Sequence, residues 1–110
     1  MNAPEFLAVP DLAVQLGSDV LQVHQLLRDG RLLALRGADG VLRIPADFVQ
    51  DGHVVKGLSG VLTLLRDNRY DDAAAVGWLF TEDDTLPGTP VEALRENRGT
   101  EVKRRAQALA

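Results

Sequence analysis

The sequence predicts a mainly α-helical protein with one small β-hairpin in its first half and a small helical bundle in its second half. Apolar residues recur at helical spacing in both halves of the chain. In the first half, two short apolar runs flank Asp39-Gly40, a dipeptide that tolerates the positive φ angles of a tight hairpin turn. We expect two domains, residues 1–52 and residues 53–110, with the second packed on the first.

The first predicted helix spans residues 9–17. Pro10 suits a first helical turn, and Gly17 suits a helix end. Its apolar face is formed by Leu12, Ala13 and Leu16. After Gly17 there is almost no spacer before the next helix, so the sequence predicts two helices joined by a tight turn.

The second predicted helix runs from Val20 to about Asp29 and ends at Gly30. Ser18 or Asp19 can cap it, because either side-chain oxygen can accept hydrogen bonds from the free N–H groups of the first turn. At 100° per residue, one side gathers the apolar residues Val20, Val23, Leu26 and Leu27, and we expect this side to be buried. The opposite side carries Leu21, Gln22, Gln25 and Arg28, with His24 at the border.

The β-hairpin around Asp39-Gly40 follows and is here called the wing. We expect its strands at residues 32–35 and 41–44, with Pro45 ending the second strand and a helical turn over residues 46–49. Residues 50–53 are predicted to be a turn or joint between the two halves.

The second half is predicted to be entirely helical. A strong amphipathic helix ends near Asn68, with its apolar residues at i, i+3, i+4 and i+7: Leu58, Val61, Leu62 and Leu65. Asp71 can cap a helix over residues 72–80, and a loop follows over residues 81–88. Thr89 and Glu92 have the spacing of a capping box for a helix over residues 90–96.

The last predicted helix follows the helix-breaking Gly99. We expect Thr100 to cap this helix. Val102, Ala106 and Leu109 share one face of it, which we expect to be its packing face.

The composition excludes several classes of protein. Of the 110 residues, 45% are apolar and 25% charged, which is typical of a globular chain. The absence of Cys excludes disulfides, thiolate catalysis and sulfur-ligated zinc. No apolar run could span a membrane, and residues 1–5 contain an acid and no Lys or Arg, so we expect no secretory signal and a cytoplasmic location.

The sequence lacks the residues that enzyme active sites require. The serines and histidines are few (Ser18, Ser59, His24 and His53), and none lies in a nucleophile elbow or a metal-binding spacing. The acidic run at residues 82–84 lacks the alternating ligands and glycine of a calcium loop. No phosphate-binding glycine motif is present. We therefore expect no catalytic residue, no metal, no cofactor and no small-molecule substrate.

The distribution of charge favours duplex DNA as a partner. The net charge of −4, from 12 basic and 16 acidic residues, argues against indiscriminate coating of nucleic acid. Locally, however, residues 28–43 hold four arginines and two aspartates, and residues 95–105 form a second basic stretch. The order helix, turn, helix and basic hairpin is that of a winged helix-turn-helix.

The polar side chains of the second helix and of the wing suggest which residues contact bases and which contact the DNA backbone. Gln pairs with adenine and Arg with guanine in the major groove, so we expect Gln22, Gln25 and Arg28 to face bases. Leu21 could contact a thymine methyl. Arg31, Arg36 and Arg43 would contact phosphates or the minor groove.

Three segments carry a resemblance to a known module: VPDLAVQLG at residues 9–17, LLRDGRL at 26–32 and VLRIP at 41–45. Together they resemble the excisionase and MerR-type winged-helix module over residues 8–49. Further segments, VVKGLSGVLTLL at 54–65, WLFT at 78–81 and VKRRAQA at 102–108, resemble a mycobacterial and actinobacterial family of winged-helix DNA-binding proteins. This resemblance implies a bacterial, nucleoid-associated DNA-binding regulator.

The segment LPGTPVEAL at residues 86–94 is similar to the helical C-terminal domain of Xre/ParS-type antitoxins. That resemblance implies protein contacts, and therefore a homodimer formed through residues 54–110. Relatives of the excisionase type often place Ser, Thr, Lys or Arg where this chain has Asp19 and Leu21. Either Asp19 serves as the helix cap, or DNA binding is weak and needs a dimer or partner. The alternative function is a non-enzymatic protein-interaction module with weak or no DNA binding.

Overall fold

The computed structural model describes residues 4–109. The chain folds into two compact units, Met1–Val55 and Lys56–Ala110. The first three residues, part of the segment expected to carry no secretory signal, lie outside the described residues. Over the part that is described, none of the helices has the length and apolar character needed to cross a membrane.

Over its described residues, the first unit combines two α-helices with a three-stranded antiparallel sheet and a two-stranded sheet. Its helices are α1 (Val9–Gln15) and α2 (Val20–Arg28). The sheet has the order β1-β3-β2, with β1 at Phe6–Ala8, β2 at Leu35–Arg36 and β3 at Leu42–Pro45. The expected winged helix-turn-helix is therefore confirmed, and a helical second half follows it.

The two helices form as their local sequence predicts. Pro10 lies in the first turn of α1, and Gly17 adopts a φ of 62° in the turn between the helices. Asp19 caps α2, because its Oδ1 accepts the Gln22 backbone N–H at 2.8 Å. Val23 is fully buried, but Val20 is 39% exposed, so its expected burial was wrong. As the first residue of α2, Val20 lies where the chain enters the helix from solvent.

The wing is shorter than predicted. Residues 32–35 were expected to form its first strand, but β2 contains only Leu35 and Arg36. Leu32 and Leu33 are buried, at 0% and 2% exposure, in an irregular segment. A short apolar run indicates burial without distinguishing a strand from other buried backbone.

Two further strand pairings were not anticipated. Strand β1 pairs with β3, with Leu7 opposite Ile44. Residues 50–53 contain the predicted turn, but it closes a hairpin: β4 (Val49–Gln50) pairs with β5 (His53–Val54) after a 3₁₀ turn at Ala46–Phe48. Its tip is Asp51-Gly52, with φ angles of 54° and 80° that match a tight hairpin turn.

The described part of the second unit contains four helices: α3 (Leu58–Asp67), α4 (Asp72–Leu79), α5 (Pro90–Arg95) and α6 (Gly99–Gln107). Helix α3 packs against α4 and α6, and α5 packs against the same two helices. All four apolar residues predicted for α3 are buried. The Asp71 cap and the capping box of Thr89 and Glu92 are confirmed.

The start of α6 differs from the prediction. Thr100 was expected to be the N-cap, but the helix begins at Gly99, and Arg98 is the N-cap without a side-chain cap bond. The expected packing face is buried at Val102 and Ala106, whereas Leu109 is 38% exposed near the chain end.

Two arginines of the second basic stretch hold the loop at residues 81–88 in place. Arg98 Nη1 donates to the Leu86 carbonyl at 2.9 Å, and Arg105 Nη2 donates to the Thr85 carbonyl at 3.2 Å. Leu86 is completely buried. These arginines therefore have a structural role within the second unit.

Candidate nucleic-acid interface

The outer face of α2 presents the side chains expected to read DNA. Gln22, Gln25 and Arg28 are all exposed, and Leu21 is 77% exposed. They are exposed because Val23, on the opposite side of the helix, packs into the core at 0% exposure. The helical period thus places two amides, a guanidinium and an aliphatic side chain on one accessible surface.

A hydrogen-bonded chain of side chains lies on this face. Gln25 Nε2 donates to Asp29 Oδ1 at 2.9 Å. Arg28 Nη2 donates to Gln25 Oε1 at 3.2 Å. Asp29 was not among the predicted site residues, although the i, i+4 spacing of Gln25 and Asp29 indicates such a contact on a helix.

Asp19 lies at the start of this face as the cap of α2. Its carboxylate is held by the backbone N–H of Gln22, which satisfies one of the free donors of the first helical turn. The structure therefore confirms that Asp19 is the cap of α2.

In the wing, Arg43 is paired with Asp39. Arg43 Nη2 and Nη1 donate to Asp39 Oδ2 and Oδ1 at 2.7 and 3.2 Å, and the Val41 backbone N–H donates to Asp39 Oδ1 at 3.0 Å. The Arg43 hydrogen bonds, followed by the Val41 bond, lower the pKa of Asp39 to about 2. The same pairing raises the pKa of Arg43. The charge of Arg43 is thus largely compensated within the wing.

Gly37 lies beside this pairing and leaves room for it. A Cβ at Gly37 would lie 2.9 Å from both Arg43 Nη1 and Asp39 Oδ1, closer than real Cβ contacts allow. A larger residue at this position would require the ends of the Arg43 and Asp39 side chains to shift. The sequence analysis did not predict the ion pair between Asp39 and Arg43, although their i, i+4 spacing is visible in the sequence.

Arg31 and Arg36 carry uncompensated charge. Arg36 Nη1 donates to the Gly40 carbonyl across the wing turn, and both arginines are exposed. Within residues 4–109, neither guanidinium forms an ion pair. Arg31 lies shortly after the end of α2, so a cationic segment connects the exposed helix face with the wing.

The six predicted site residues thus fall into three groups. Gln25 and Arg28 are linked to each other on α2, with Gln22 beside them on the same face. Arg31 and Arg36 are exposed cations, and Arg43 mainly stabilises the wing. Among the described residues, no cluster of three or more His, Cys, Asp or Glu side chains is placed to hold a metal ion.

Two family models match the chain. The one described as "DNA-binding protein Rv2175c, wHTH domain" matches residues 2–49, and the one described as "Rv2175c C-terminal domain of unknown function" matches residues 55–110. The chain is similar to the DNA-binding protein Rv2175c of Mycobacterium tuberculosis, with 42% identity over 114 residues that cover 93% of this chain and 78% of the relative.

The fold is similar to a solved structure of the same family. The NMR structure of Rv2175c superposes with a TM-score of 0.86 at 39% sequence identity, and the match covers 100% of this chain and 84% of that one. These matches confirm the winged-helix family that the sequence resembles. The chain belongs to the Rv2175c family, in which a winged helix-turn-helix domain is followed by a helical C-terminal domain.

Proposed function

We propose that this protein is a non-enzymatic bacterial transcriptional regulator that binds duplex DNA with α2 in the major groove and the wing on the adjacent backbone. The observation that carries the proposal is the exposed polar face of α2, continuous in sequence with uncompensated arginines, in a chain related to a protein named as DNA-binding. A helix has the width to enter the major groove, where amides and guanidinium groups distinguish base pairs.

Each residue has a distinct role in this proposal. Gln22, Gln25 and Arg28 contact base edges, and Arg31 and Arg36 contact phosphates. Arg43 supports the wing through Asp39 and makes a smaller contribution to the phosphate contacts, because its charge is already compensated. The second unit provides dimerisation, and the protein acts in the cytoplasm at the nucleoid.

A selection from random oligonucleotides with the purified chain tests this function. We expect enrichment of a defined duplex motif, and a palindromic motif would indicate a two-fold dimer. The variant Arg36→Glu reverses a charge on the wing and should bind the selected duplex more weakly. Failure to enrich any motif would contradict sequence-selective binding, and full binding by Arg36→Glu would remove the wing from the interface.

A second candidate function is a protein-interaction module. The exposure of two apolar side chains, Val14 at 76% and Leu21 at 77%, favours it. Light scattering coupled to size exclusion, run beside DNA binding at about 50 mM salt, distinguishes the two functions. A stable protein complex without DNA affinity at this ionic strength would favour the module, since weak phosphate contacts are strongest at low salt.

A further inference from the structure

The two glutamines on the outer face of α2 differ in how their amides are held. The Gln25 amide donates through Nε2 to Asp29 and accepts at Oε1 from Arg28. Within residues 4–109, the Gln22 side chain has no such hydrogen-bond partner. Gln25 is therefore oriented before any ligand arrives, whereas Gln22 must be ordered by the ligand itself.

Counting donors and acceptors shows what the held amide can still do. A glutamine amide has two N–H donors and an oxygen that can accept two hydrogen bonds. Asp29 uses one donor and Arg28 uses one acceptor position, so one donor and one acceptor position remain. Adenine presents the complementary pair in the major groove, the N7 acceptor and the N6 amino donor.

We propose that Asp29 is a positioning residue that fixes the Gln25 amide so that its remaining donor and acceptor read adenine. This inference rests on the proposed DNA-binding function. The carboxylate accepts only, so it fixes Nε2 as the end of the amide that faces Asp29. Arg28 is donor-only, so it fixes Oε1 at the opposite end, and both contacts select the same orientation. The exclusion of water by DNA strengthens both hydrogen bonds.

The geometry allows Asp29 to be changed without disturbing the helix. The C-terminal end of α2 uses the Asp29 backbone, whose N–H donates to the Gln25 carbonyl at 2.9 Å. Gly30 then leaves the helix with a φ of 75°. Substitution of the exposed Asp29 side chain therefore retains the backbone hydrogen bond, and equal melting temperatures would verify that the fold is intact.

The experiment compares random-duplex selections for the parent chain and three variants, Gln25→Ala, Asp29→Ala and Asp29→Asn. Gln25→Ala should abolish the base preference at one position of the enriched motif, and this is the position that Gln25 contacts. We expect the parent to prefer adenine there by at least about fivefold. Asp29→Ala should reduce this preference below about twofold, and Asp29→Asn should restore it, because asparagine keeps the acceptor oxygen.

The two Asp29 variants control for charge, and a double variant tests the coupling between Asp29 and Gln25. Both Asp29 variants remove one negative charge, so both should bind non-selected DNA more tightly by the same factor. The position read by Gln22 should be unaffected in either variant. In the Gln25→Ala background, Asp29→Ala should cause no further loss of selectivity, since coupled residues are non-additive.

Three results would overturn the inference, and they are distinguishable. If the parent enriches no motif, the inference fails together with the proposed function. If the parent enriches a motif but Gln25→Ala abolishes the base preference at no position, the proposed DNA binding is retained and the role of Gln25 is wrong. If Gln25→Ala abolishes a preference for adenine that Asp29→Ala leaves intact, only the positioning role of Asp29 is wrong.

Discussion

The salt dependence of DNA binding should differ between arginines that have the same charge but different partners. Arg31 and Arg36 are exposed and form no ion pair within the described residues, whereas Arg43 is held by Asp39 at 2.7 Å. Each neutralised phosphate contributes about −0.9 to the slope of log K against log salt concentration. Two phosphate contacts per bound chain predict a slope of about −1.8, and Arg36→Ala should reduce it to about −0.9.

These slopes correspond to readily measured changes in affinity. Between about 50 and 200 mM salt, the parent should lose about twelvefold in affinity and Arg36→Ala about 3.5-fold. The double variant Asp39→Ala/Arg43→Ala removes a compensated pair and should change the slope much less than Arg36→Ala does. Fluorescence anisotropy with the selected duplex, measured at four or more salt concentrations, provides the slopes.

Arg104→Ala is the matched control, because it changes the net charge by the same unit at an exposed position in the second unit. It should leave the slope unchanged. Equal slopes for Arg36→Ala and the parent would refute the reasoning that uncompensated wing charge contacts phosphate. A shallower slope for Arg104→Ala would show instead that the second unit contributes to DNA binding.

Three further predictions concern contacts that hold the site and the second unit. Asp19→Ala should lower the free energy of unfolding in urea by about 1 kcal/mol by removing the cap, while Asp19→Asn should stay within a few tenths; equal losses would contradict a capping role. The pKa of Asp39 is lowered from 3.8 to about 2, so the stabilisation by its ion pair with Arg43 should be complete above pH 3.8. It should be lost as the pH falls through about 2. An NMR titration of the carboxyl carbon that gave an ordinary midpoint would disprove this. Thr89→Ala should lower the melting temperature of the chain by removing the capping box, with a loss of about 1 kcal/mol, whereas Thr89→Ser should retain most of it.

Elements with a local physical cause could be predicted from the sequence. The Asp19 cap, the turn at Gly17 and the Thr89 capping box depend on residues within four positions of one another, so their chemistry is readable in a short window. The helical period of α2 also predicted correctly that Val23 is buried and that Gln22, Gln25 and Arg28 are exposed. The turn at Asp51-Gly52 was predicted as well, whereas the strand pairing on either side of it was not.

Elements that depend on distant partners could not be predicted in this way. Strand β1 has three residues and becomes a strand through its pairing with β3, which lies more than thirty positions away. The buried segment at Leu32 and Leu33 is decided by the core around it rather than by its own pattern. At the site, the sequence predicted Arg43 as a cation that contacts DNA. Only the structure shows that Asp39 compensates its charge.

The most direct test is a titration of the ¹⁵N-labelled chain with the selected duplex, followed by amide and side-chain NMR shifts. We expect the largest changes at the Gln22 and Gln25 side-chain amides, the Arg36 guanidinium and the backbone of residues 20–43. Changes confined to residues 56–110, with the glutamine amides of α2 unmoved at saturating DNA, would contradict the assignment of this face as the DNA-binding surface.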